Sequence, residues 1–138
     1  MRILFDTNVI IDVVQKREPH FESSYKVFQI AVKGDVESMV PASILTDIYY
    51  VIRPSLKSKA AAREAIRQLT SLLEVCDTKG TNAIDALDLP MVDYEDAVVA
   101  SIAAREKVDF IITRNTKDFV ESPVPAISPD DYLTRFGE

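Results

Sequence analysis

The chain alternates short apolar runs with longer segments in which apolar residues recur every three or four positions. Short runs are typical of strands buried in a parallel sheet, and the longer spacing is typical of amphipathic helices. The pattern predicts strands at residues 3–5, 37–40, 73–76, 110–113 and 124–127. It predicts helices at residues 9–15, 23–32, 44–52, 58–73, 82–87 and 93–106, a helical turn at 115–119 and a last helix from Ser128. Strands that alternate with helices favour right-handed crossovers, so we expect a single three-layer α/β/α domain over residues 1–138, with a central, mostly parallel sheet.

Local signals predict where several helices begin and end. Asn8 is the expected N-cap of the first helix, since its side chain can accept hydrogen bonds from free N–H groups. Gly34 should end the second helix, and Pro54 should stop the third, because the residue before a proline disfavours helical backbone. Ser128 followed by Pro129 is a typical helix start.

The composition is that of an ordinary globular protein, with 47% hydrophobic and 28% charged residues. No apolar run is long enough to cross a bilayer, and the first residues do not resemble a signal peptide, so we expect no membrane segment. Cys76 is the only cysteine and His20 the only histidine. Cysteine-built zinc sites, histidine-rich metal sites and intrachain disulfides are therefore excluded. A reducing cytoplasm is the compartment that this usage favours, and we expect His20 at a helix entry or on the surface.

The formal net charge of −6 argues against a broad phosphate-binding surface built from Lys and Arg alone. Bound divalent ions can nevertheless invert the field around a group of carboxylates. An enzyme acting on nucleic acid therefore remains compatible with the composition.

Asp6 follows the first predicted strand directly, in the segment Asp6-Thr7-Asn8. Ligands of open α/β sheets bind at the carboxyl ends of the strands, which makes Asp6 a candidate metal ligand or catalytic carboxylate. An ordinary strand-to-helix turn would explain the same residue.

Asp47 is unusual because it lies three residues after Ile44 and four before Val51, on what the spacing predicts to be an apolar helix face. A buried, isolated carboxylate is costly. Asp47 therefore either points into a shared polar site or lies at the rim of the core on a slightly rotated helix.

Asp96 and Asp118 each have an ordinary explanation as acids in the first turn of a helix, with Asp93 and Asn115 as the respective N-caps. Asp118 also follows a predicted strand. If that strand neighbours the first one, Asp6 and the residues from Thr113 onward would meet at one edge of the sheet. Glu95 is expected to face solvent.

The acids occur within four segments that together resemble the PIN domain family, the small ribonuclease domain of VapC-type toxins and related nucleases. The matching segments are LFDTNVIID, PASILTDIYYVI, DYEDAVVASIAA and DFIITRNTKDF. The resemblance extends over essentially the whole chain, and the first and last segments are the most specific.

The resemblance implies a metal-dependent ribonuclease that hydrolyses phosphodiester bonds of RNA. The implied catalytic and metal-binding residues are Asp6, Asp47, Asp96 and Asp118, with Mg²⁺ or Mn²⁺ as the cofactor. The implied supporting polar residues are Thr7, Asn8, Thr113 and Asn115. The family more often has Glu at the position of Asp47, so both direct and water-mediated ligation remain open there.

The resemblance also implies partners for a protein of this kind. RNA would be the substrate, an antitoxin protein the regulator, and a homodimer the expected assembly. The basic candidates for holding the RNA backbone are Arg114, Lys117, Arg53, Lys57 and Lys59, although solvated surface charge is the better explanation of each one taken alone.

Two alternatives remain. A phosphatase of the haloacid dehalogenase type also places an acid after its first strand, but its Asp-x-Asp pattern is broken here by Asn8. The second alternative is a non-catalytic PIN-like module that binds RNA or protein. The near-complete set of acids argues against it.

Overall fold

The computed structural model describes residues 1–137; Glu138, the last residue of the expected domain, lies outside the described part of the chain. The strands in residues 1–137 are β1 (Arg2–Phe5), β2 (Glu37–Pro41), β3 (Glu74–Cys76), β4 (Phe110–Ile112) and β5 (Ala126–Ile127). They form one sheet in the order β3-β2-β1-β4-β5, and every neighbouring pair is parallel. The predicted parallel α/β sheet is therefore confirmed, with the strand nearest the C-terminus at its edge.

The helices surround this sheet close to their predicted positions. They are α1 (Thr7–Gln15), α2 (Phe21–Val32), α3 (Ala42–Leu56), α4 (Lys59–Leu72), α5 (Gly80–Asp85), α6 (Tyr94–Arg105) and α7 (Pro129–Phe136). Two short 3₁₀ turns follow α5 and β4, at Ala86–Asp88 and Thr116–Phe119.

Both faces of the sheet are covered, which makes the architecture three-layered. Ile3, Leu4 and Phe5 follow one another on β1, so they point to alternating faces, and all three are fully buried. Ile111 and Ile112 on β4 are buried in the same way. This explains why the central strands are continuous apolar runs rather than alternating ones.

The predicted end of α3 is wrong, because the helix continues through Pro54 to Leu56. Proline removes one helical N–H, which would have bonded the carbonyl of Tyr50, four residues earlier. Tyr50 is exposed, so water can satisfy that carbonyl, and Pro54 lies only in the last turn. The N–H of Lys57 still donates to the carbonyl of Arg53 at 3.1 Å beyond the proline.

Other local predictions are confirmed. Gly34 follows α2 with a φ of +87°, a conformation that side chains disfavour. His20 directly precedes α2, and the side chain of Ser128 caps α7 by accepting from the N–H of Asp131 at 3.1 Å. Across residues 1–137 no helix combines the length and the apolar character that crossing a membrane would require.

The topology brings the carboxyl ends of β1 and β4 side by side. The two strands pair in parallel with Phe5 opposite Ile112. Asp6 and Thr113, the next residue on each chain segment, therefore start at the same edge of the sheet. This edge is where the candidate site lies.

Candidate active site

Asp6 leaves β1 and caps α1 at the same time. Its N–H continues the sheet by donating to the carbonyl of Ile112 at 3.0 Å. Its Oδ1 accepts from the N–H of Thr7 at 2.8 Å, and its Oδ2 accepts from the hydroxyl of Thr113 at 2.9 Å. The residue is buried, with 7% of its surface exposed. Asp6 is therefore held at both oxygens.

The prediction that Asn8 caps the first helix is wrong, because Asp6 occupies the cap and α1 already begins at Thr7. The Asn8 side chain instead reaches across to the segment after β4. Its Nδ2 donates to Thr113 Oγ1 at 3.2 Å, and its Oδ1 accepts from the N–H of Arg114 at 3.1 Å. Asn8 thus ties the start of α1 to the segment that follows β4.

The hydroxyl of Thr113 is fixed by its neighbours. Its oxygen accepts from Asn8 Nδ2 and from the N–H of Asn115, at 3.2 and 3.1 Å. Its single proton is therefore left to donate to Asp6. Three of the predicted supporting residues, Asn8, Thr113 and Asn115, thus form one hydrogen-bonded group around Asp6.

Burial dominates the electrostatics of Asp6. It raises the pKa of this carboxyl above its ordinary value, and the hydrogen bonds from Thr113 and Thr7 offset only part of the effect. The charge of Asp93 raises the pKa further.

Asp96 lies in the first turn of α6, and Asp93 caps that helix by accepting from the N–H of Asp96 at 2.9 Å. The prediction of Asp93 as the N-cap and Asp96 as a first-turn acid is therefore confirmed for this helix. Burial raises the pKa of Asp96 to about 7, and the charges of Asp6, Asp93, Asp118 and Glu95 add to the effect, in that order. Asp96 is consequently both a first-turn acid and a member of a carboxylate cluster.

Asp118 lies in the 3₁₀ turn Thr116–Phe119 and is exposed. Its N–H donates to the carbonyl of Asn115 at 3.0 Å. The expected side-chain cap from Asn115 is absent from this turn, and the backbone bond from the Asp118 N–H closes it. Asp118 lies close enough to Asp96 for its charge to act there.

Asp47 does not lie on the buried face of α3, which corrects the expectation from its spacing. Ile44, Ile48 and Ile52 form that face, whereas Asp47 and Val51 are exposed. The buried positions recur every four residues, so Asp47 is about 100° away from them around the helix. The helix is therefore rotated relative to the expected apolar face, and the charge of Asp47 acts on Glu95 at the acidic cluster.

Glu95 is exposed, as predicted, and its carboxyl is nevertheless close enough to the cluster for its charge to act on Asp96. Burial raises the pKa of its carboxyl, as do the charge of Asp47 and a hydrogen bond between the two carboxyl groups. Through Glu95, α3 is linked to the first turn of α6.

The cluster offers hard oxygen ligands, the kind that Mg²⁺ and Mn²⁺ prefer. Within residues 1–137, no three Asp, Glu, Cys or His side chains already form a closed metal-binding group. Mg²⁺ commonly takes one or two carboxylates and keeps several waters. The pKa values of Asp6 and Asp96 are raised first by burial and then by neighbouring carboxylates, and a bound cation would neutralise that charge. The residues therefore fit a hydrated divalent cation.

Two of the basic residues considered for RNA differ in their surroundings. Arg114 forms a two-point ion pair with Asp12, with Nε to Oδ2 at 2.7 Å and Nη2 to Oδ1 at 3.2 Å. Lys117 is exposed beside Asp118. Arg114 thus has a structural partner, whereas the side chain of Lys117 extends into solvent near the cluster.

A family model described as PIN domain matches residues 2–117, so this chain belongs to the PIN domain family. No curated protein matches the sequence significantly.

Solved structures share the fold at low sequence identity. VapBC2 from Rickettsia felis, bound to a promoter DNA fragment, has a TM-score of 0.72 at 20% identity, over 93% of this chain and 98% of that one. A toxin–antitoxin complex from Klebsiella pneumoniae has a TM-score of 0.67 at 20% identity, over 92% of this chain and 97% of that one. VapC20 from Mycobacterium tuberculosis is described as a sarcin–ricin loop cleaving toxin. It has a TM-score of 0.62 at 11% identity, over 79% of this chain and 86% of that one. At these identities the likeness establishes the fold.

Proposed function

We propose that this protein is an endoribonuclease that depends on Mg²⁺ or Mn²⁺ and acts as the toxin of a toxin–antitoxin pair. The observation that supports this most directly is the convergence of Asp6, Asp96 and Asp118 from three elements, close enough for their charges to act on Asp96. Membership of the PIN domain family and the fold shared with an RNA-cleaving toxin support the same proposal.

Each side chain has a definable task in this proposal. Asp6 presents oxygens fixed by Thr7 and Thr113. Asp96 and Asp118 face it from α6 and from the turn after β4, and Asp47 with Glu95 extends the acidic edge toward α3. A divalent ion held here by Asp6, Asp96 and Asp118 would supply charge neutralisation and a more acidic water.

The protein contributes to catalysis mainly by holding the carboxylates in fixed positions. The hydrogen bonds that join Asp6, Thr113 and Asn8 keep the segment after β4 against the start of α1. That fixes the spacing between carboxylates on different elements, on which an in-line attack of water on a phosphodiester depends. The same acids repel a phosphate when no cation is bound, so we propose that RNA binds productively only with the metal.

The phosphatase alternative is less well supported. Its second acid would stand at Asn8, and the Asn8 side chain is committed to Thr113 Oγ1 and the N–H of Arg114. An amide in that arrangement cannot accept or deliver a proton as a carboxyl does.

The test is cleavage of a mixed single-stranded RNA pool by purified protein in Mn²⁺, Mg²⁺ or EDTA. We expect cleavage with either metal and none in EDTA, and a loss of at least about 100-fold in Asp6→Asn and Asp96→Asn, since amides are poor ligands for hard cations. Asp35→Asn is the matched control, because Asp35 is an exposed acid that precedes β2 at the opposite edge of the sheet.

Three outcomes contradict the proposal. Equal cleavage in wild type and Asp6→Asn would exclude the carboxylate site. Binding of RNA without any cleavage would favour the non-catalytic module, and hydrolysis of a phosphate monoester in place of RNA would favour the phosphatase.

The toxin role has a separate test in cells. Induced expression of the wild type should arrest growth, and Asp6→Asn should not. An antitoxin encoded beside this gene should relieve the arrest; a basic segment in that partner would suit the net charge of −6.

A further inference from the structure

Helices α3 and α4 carry a local excess of positive charge on an acidic protein. They are joined by only two residues, Lys57 and Ser58, and pack against each other as a helical hairpin. Residues 42–72 contain five of the sixteen Lys and Arg residues but two of the 22 Asp and Glu residues. The hairpin therefore has a net charge of +3, and the rest of the chain has −9.

The positive side chains lie along one connected surface, which we call the basic hairpin face. It consists of Arg53, Lys57, Lys59, Arg63 and Arg67, together with Tyr49 and Tyr50. Three shallow hollows overlap along this face. The hollow at the tip shares Lys59 with the next one, which shares Arg63 and Arg67 with the third, so the surface is continuous from the tip of the hairpin to its middle.

Most of these cations have no acidic partner within the protein. In residues 1–137 the ion pairs include Arg67 with Glu64, at 2.7 Å, and none that involves Arg53, Lys57, Lys59 or Arg63. All five are exposed. Their charge is therefore available to an external anion.

Aromatic surface accompanies the charge. A groove of about 450 Å³ between α3 and α4 is lined by Tyr49 and Tyr50 on one side and by Arg63 and Arg67 on the other. Tyr50 is 70% exposed, and its ring centroid lies 5.3 Å from that of Tyr49. Exposed rings beside cations are the combination that binds single-stranded nucleic acid, because bases stack on the rings and phosphates meet the charges.

The face is continuous with the carboxylate site. Thr46, which lines the groove, adjoins Asp47, and the charge of Asp47 acts on Glu95 in the carboxylate cluster. Along the axis of α3, Arg53 lies about 9 Å and Lys57 about 15 Å beyond Asp47, at a rise of about 1.5 Å per residue. A strand that leaves the acids can therefore follow the hairpin toward its tip.

We propose that the basic hairpin face is a binding path for single-stranded RNA, which holds the substrate on the side of the site formed by α3. This rests on the proposed ribonuclease function and specifies the substrate as an unpaired strand longer than the scissile dinucleotide. The acids bind the cleavage point through the cation, and the hairpin supplies the charge and stacking that an acidic protein otherwise lacks.

Binding is measured first, by fluorescence anisotropy of a labelled single-stranded RNA of roughly 12 nucleotides, within the site sizes of single-strand binders. EDTA is added to prevent cleavage and to remove the metal-dependent binding at the acids, so the anisotropy reports binding along the hairpin. The test variant is Lys57→Gln with Arg63→Gln. The matched control is Lys33→Gln with Lys107→Gln, which removes the same charge from exposed residues that precede β2 and β4 at the far edge of the sheet. Lys57 and Lys107 also share a positive φ, of 57° and 55°, so any backbone effect is matched.

We expect the test variant to bind at least fivefold more weakly and to lower the slope of log K against log salt by about 1.4, the value for two phosphate contacts on a single strand. The control should match the wild type. Tyr50→Leu should weaken binding without changing the salt slope, and Tyr50→Phe should bind as the wild type does.

Cleavage separates this proposal from the ribonuclease proposal. The test variant should lose kcat/KM on the long RNA and keep the wild-type rate on a dinucleotide. If the wild type cleaves RNA and the test variant matches the control in both assays, the hairpin path is wrong and the ribonuclease stands. If the wild type never cleaves, but binds RNA with the predicted losses, the path stands without the ribonuclease. Unchanged RNA binding with an altered oligomeric state in the test variant would assign the face to a second copy and overturn the path.

Discussion

At the scale of single residues, Asp6 shows how burial and hydrogen bonding compete. The carboxylate accepts from the N–H of Thr7 and the hydroxyl of Thr113, which both favour its charged form. Burial outweighs them, and the pKa is raised. An oriented but unneutralised carboxylate is suited to a cation, because neutralisation recovers the cost of burying the charge.

The substitution Asp118→Asn tests whether this first-turn acid contributes to the metal site or only to the turn. The turn is closed by the backbone bond from the Asp118 N–H to Asn115, which Asp118→Asn keeps. We expect the melting temperature to change little and Mn²⁺ affinity or cleavage rate to fall at least tenfold. Thermal melts and metal titrations of the same variant measure both. A loss of stability with normal activity would assign Asp118 to the turn alone.

The positions of the individual acids were predictable only in part. The resemblance supplied Asp6, Asp47, Asp96 and Asp118, but their local patterns alone are explained equally well by caps and helix dipoles. Glu95 was correctly predicted to be exposed, but a first-turn Glu is favourable in any helix, so its context gave no sign of the charge that it exerts on Asp96. Its partner Asp47 is 48 positions earlier in the chain, and a single sequence gives no sign of that contact.

At the scale of elements, a buried ion pair joins α1 to the segment after β4. Asp12 is fully buried, accepts from Ser24 Oγ at 3.1 Å, and pairs with Arg114 at two points. The N–H of Arg114 also binds Asn8. The segment that delivers Thr113 and Asp118 is therefore anchored on α1 and α2 together.

Removing Arg114 should be costly, because it leaves the Asp12 charge buried without a partner. We expect Arg114→Ala to lower the free energy of unfolding by about 3 kcal/mol, the low end for a broken buried pair, since the Arg114 side chain is partly exposed. Chemical denaturation measures this. Arg67→Ala is the control, because its exposed pair with Glu64 should contribute less than about 1 kcal/mol. Equal losses in the two variants would show that the Asp12 pair is no stronger than a surface one.

The sequence predicted the elements better than their connections. Buried strands and amphipathic helices depend on local apolar spacing, so most were found within a few residues. The continuation of α3 through Pro54 into its last turn was not predicted by the proline signal. The Asp12–Arg114 pair spans 102 positions, and Asp12 looks like an ordinary helix residue until the sheet order places β4 beside β1.

At the scale of the whole molecule, one stretch of the chain carries several large exposed apolar residues. Between residues 84 and 94, large exposed apolar residues recur: Ile84, Leu87, Val92 and Tyr94. The hydroxyl of Tyr94 donates to the carbonyl of Ala83 at 2.8 Å, which joins the two ends of this stretch. Exposed apolar groups that lie together commonly mark an interface.

The expected homodimer can be tested on this stretch. Leu87→Asp with Val92→Asp should shift the protein from dimer to monomer in sedimentation or light scattering, because charges placed in an interface lose their hydration. Val120→Asp is the control, since Val120 is 76% exposed and lies outside the stretch. A wild type that is already monomeric at high concentration, or a double variant that stays dimeric, would contradict the assignment.

The carboxylate cluster also couples stability to pH and metal across the whole protein. Burial and the neighbouring acids raise the pKa of Asp96 to about 7 in the folded protein, against about 4 in an unfolded chain. Between these values the folded state binds more protons than the unfolded state. The free energy of unfolding of the metal-free protein should therefore decrease as the pH rises from about 4 to about 7, and the penalty should be complete above that range.

Mn²⁺ should reverse this loss, because it binds the folded state and raises the melting temperature with concentration. Asp6→Asn removes the strongest charge acting on Asp96, so its metal-free melting curve should depend less on pH, and its response to Mn²⁺ should be weaker. The measurement is a series of melts from about pH 5 to 8, around the folded pKa of Asp96, with and without Mn²⁺, for wild type, Asp6→Asn and the Asp35→Asn control. The control should follow the wild type. An equal Mn²⁺ response in wild type and Asp6→Asn would mean that Asp6 does not help to bind the metal, and the site built on the end of β1 would be wrong.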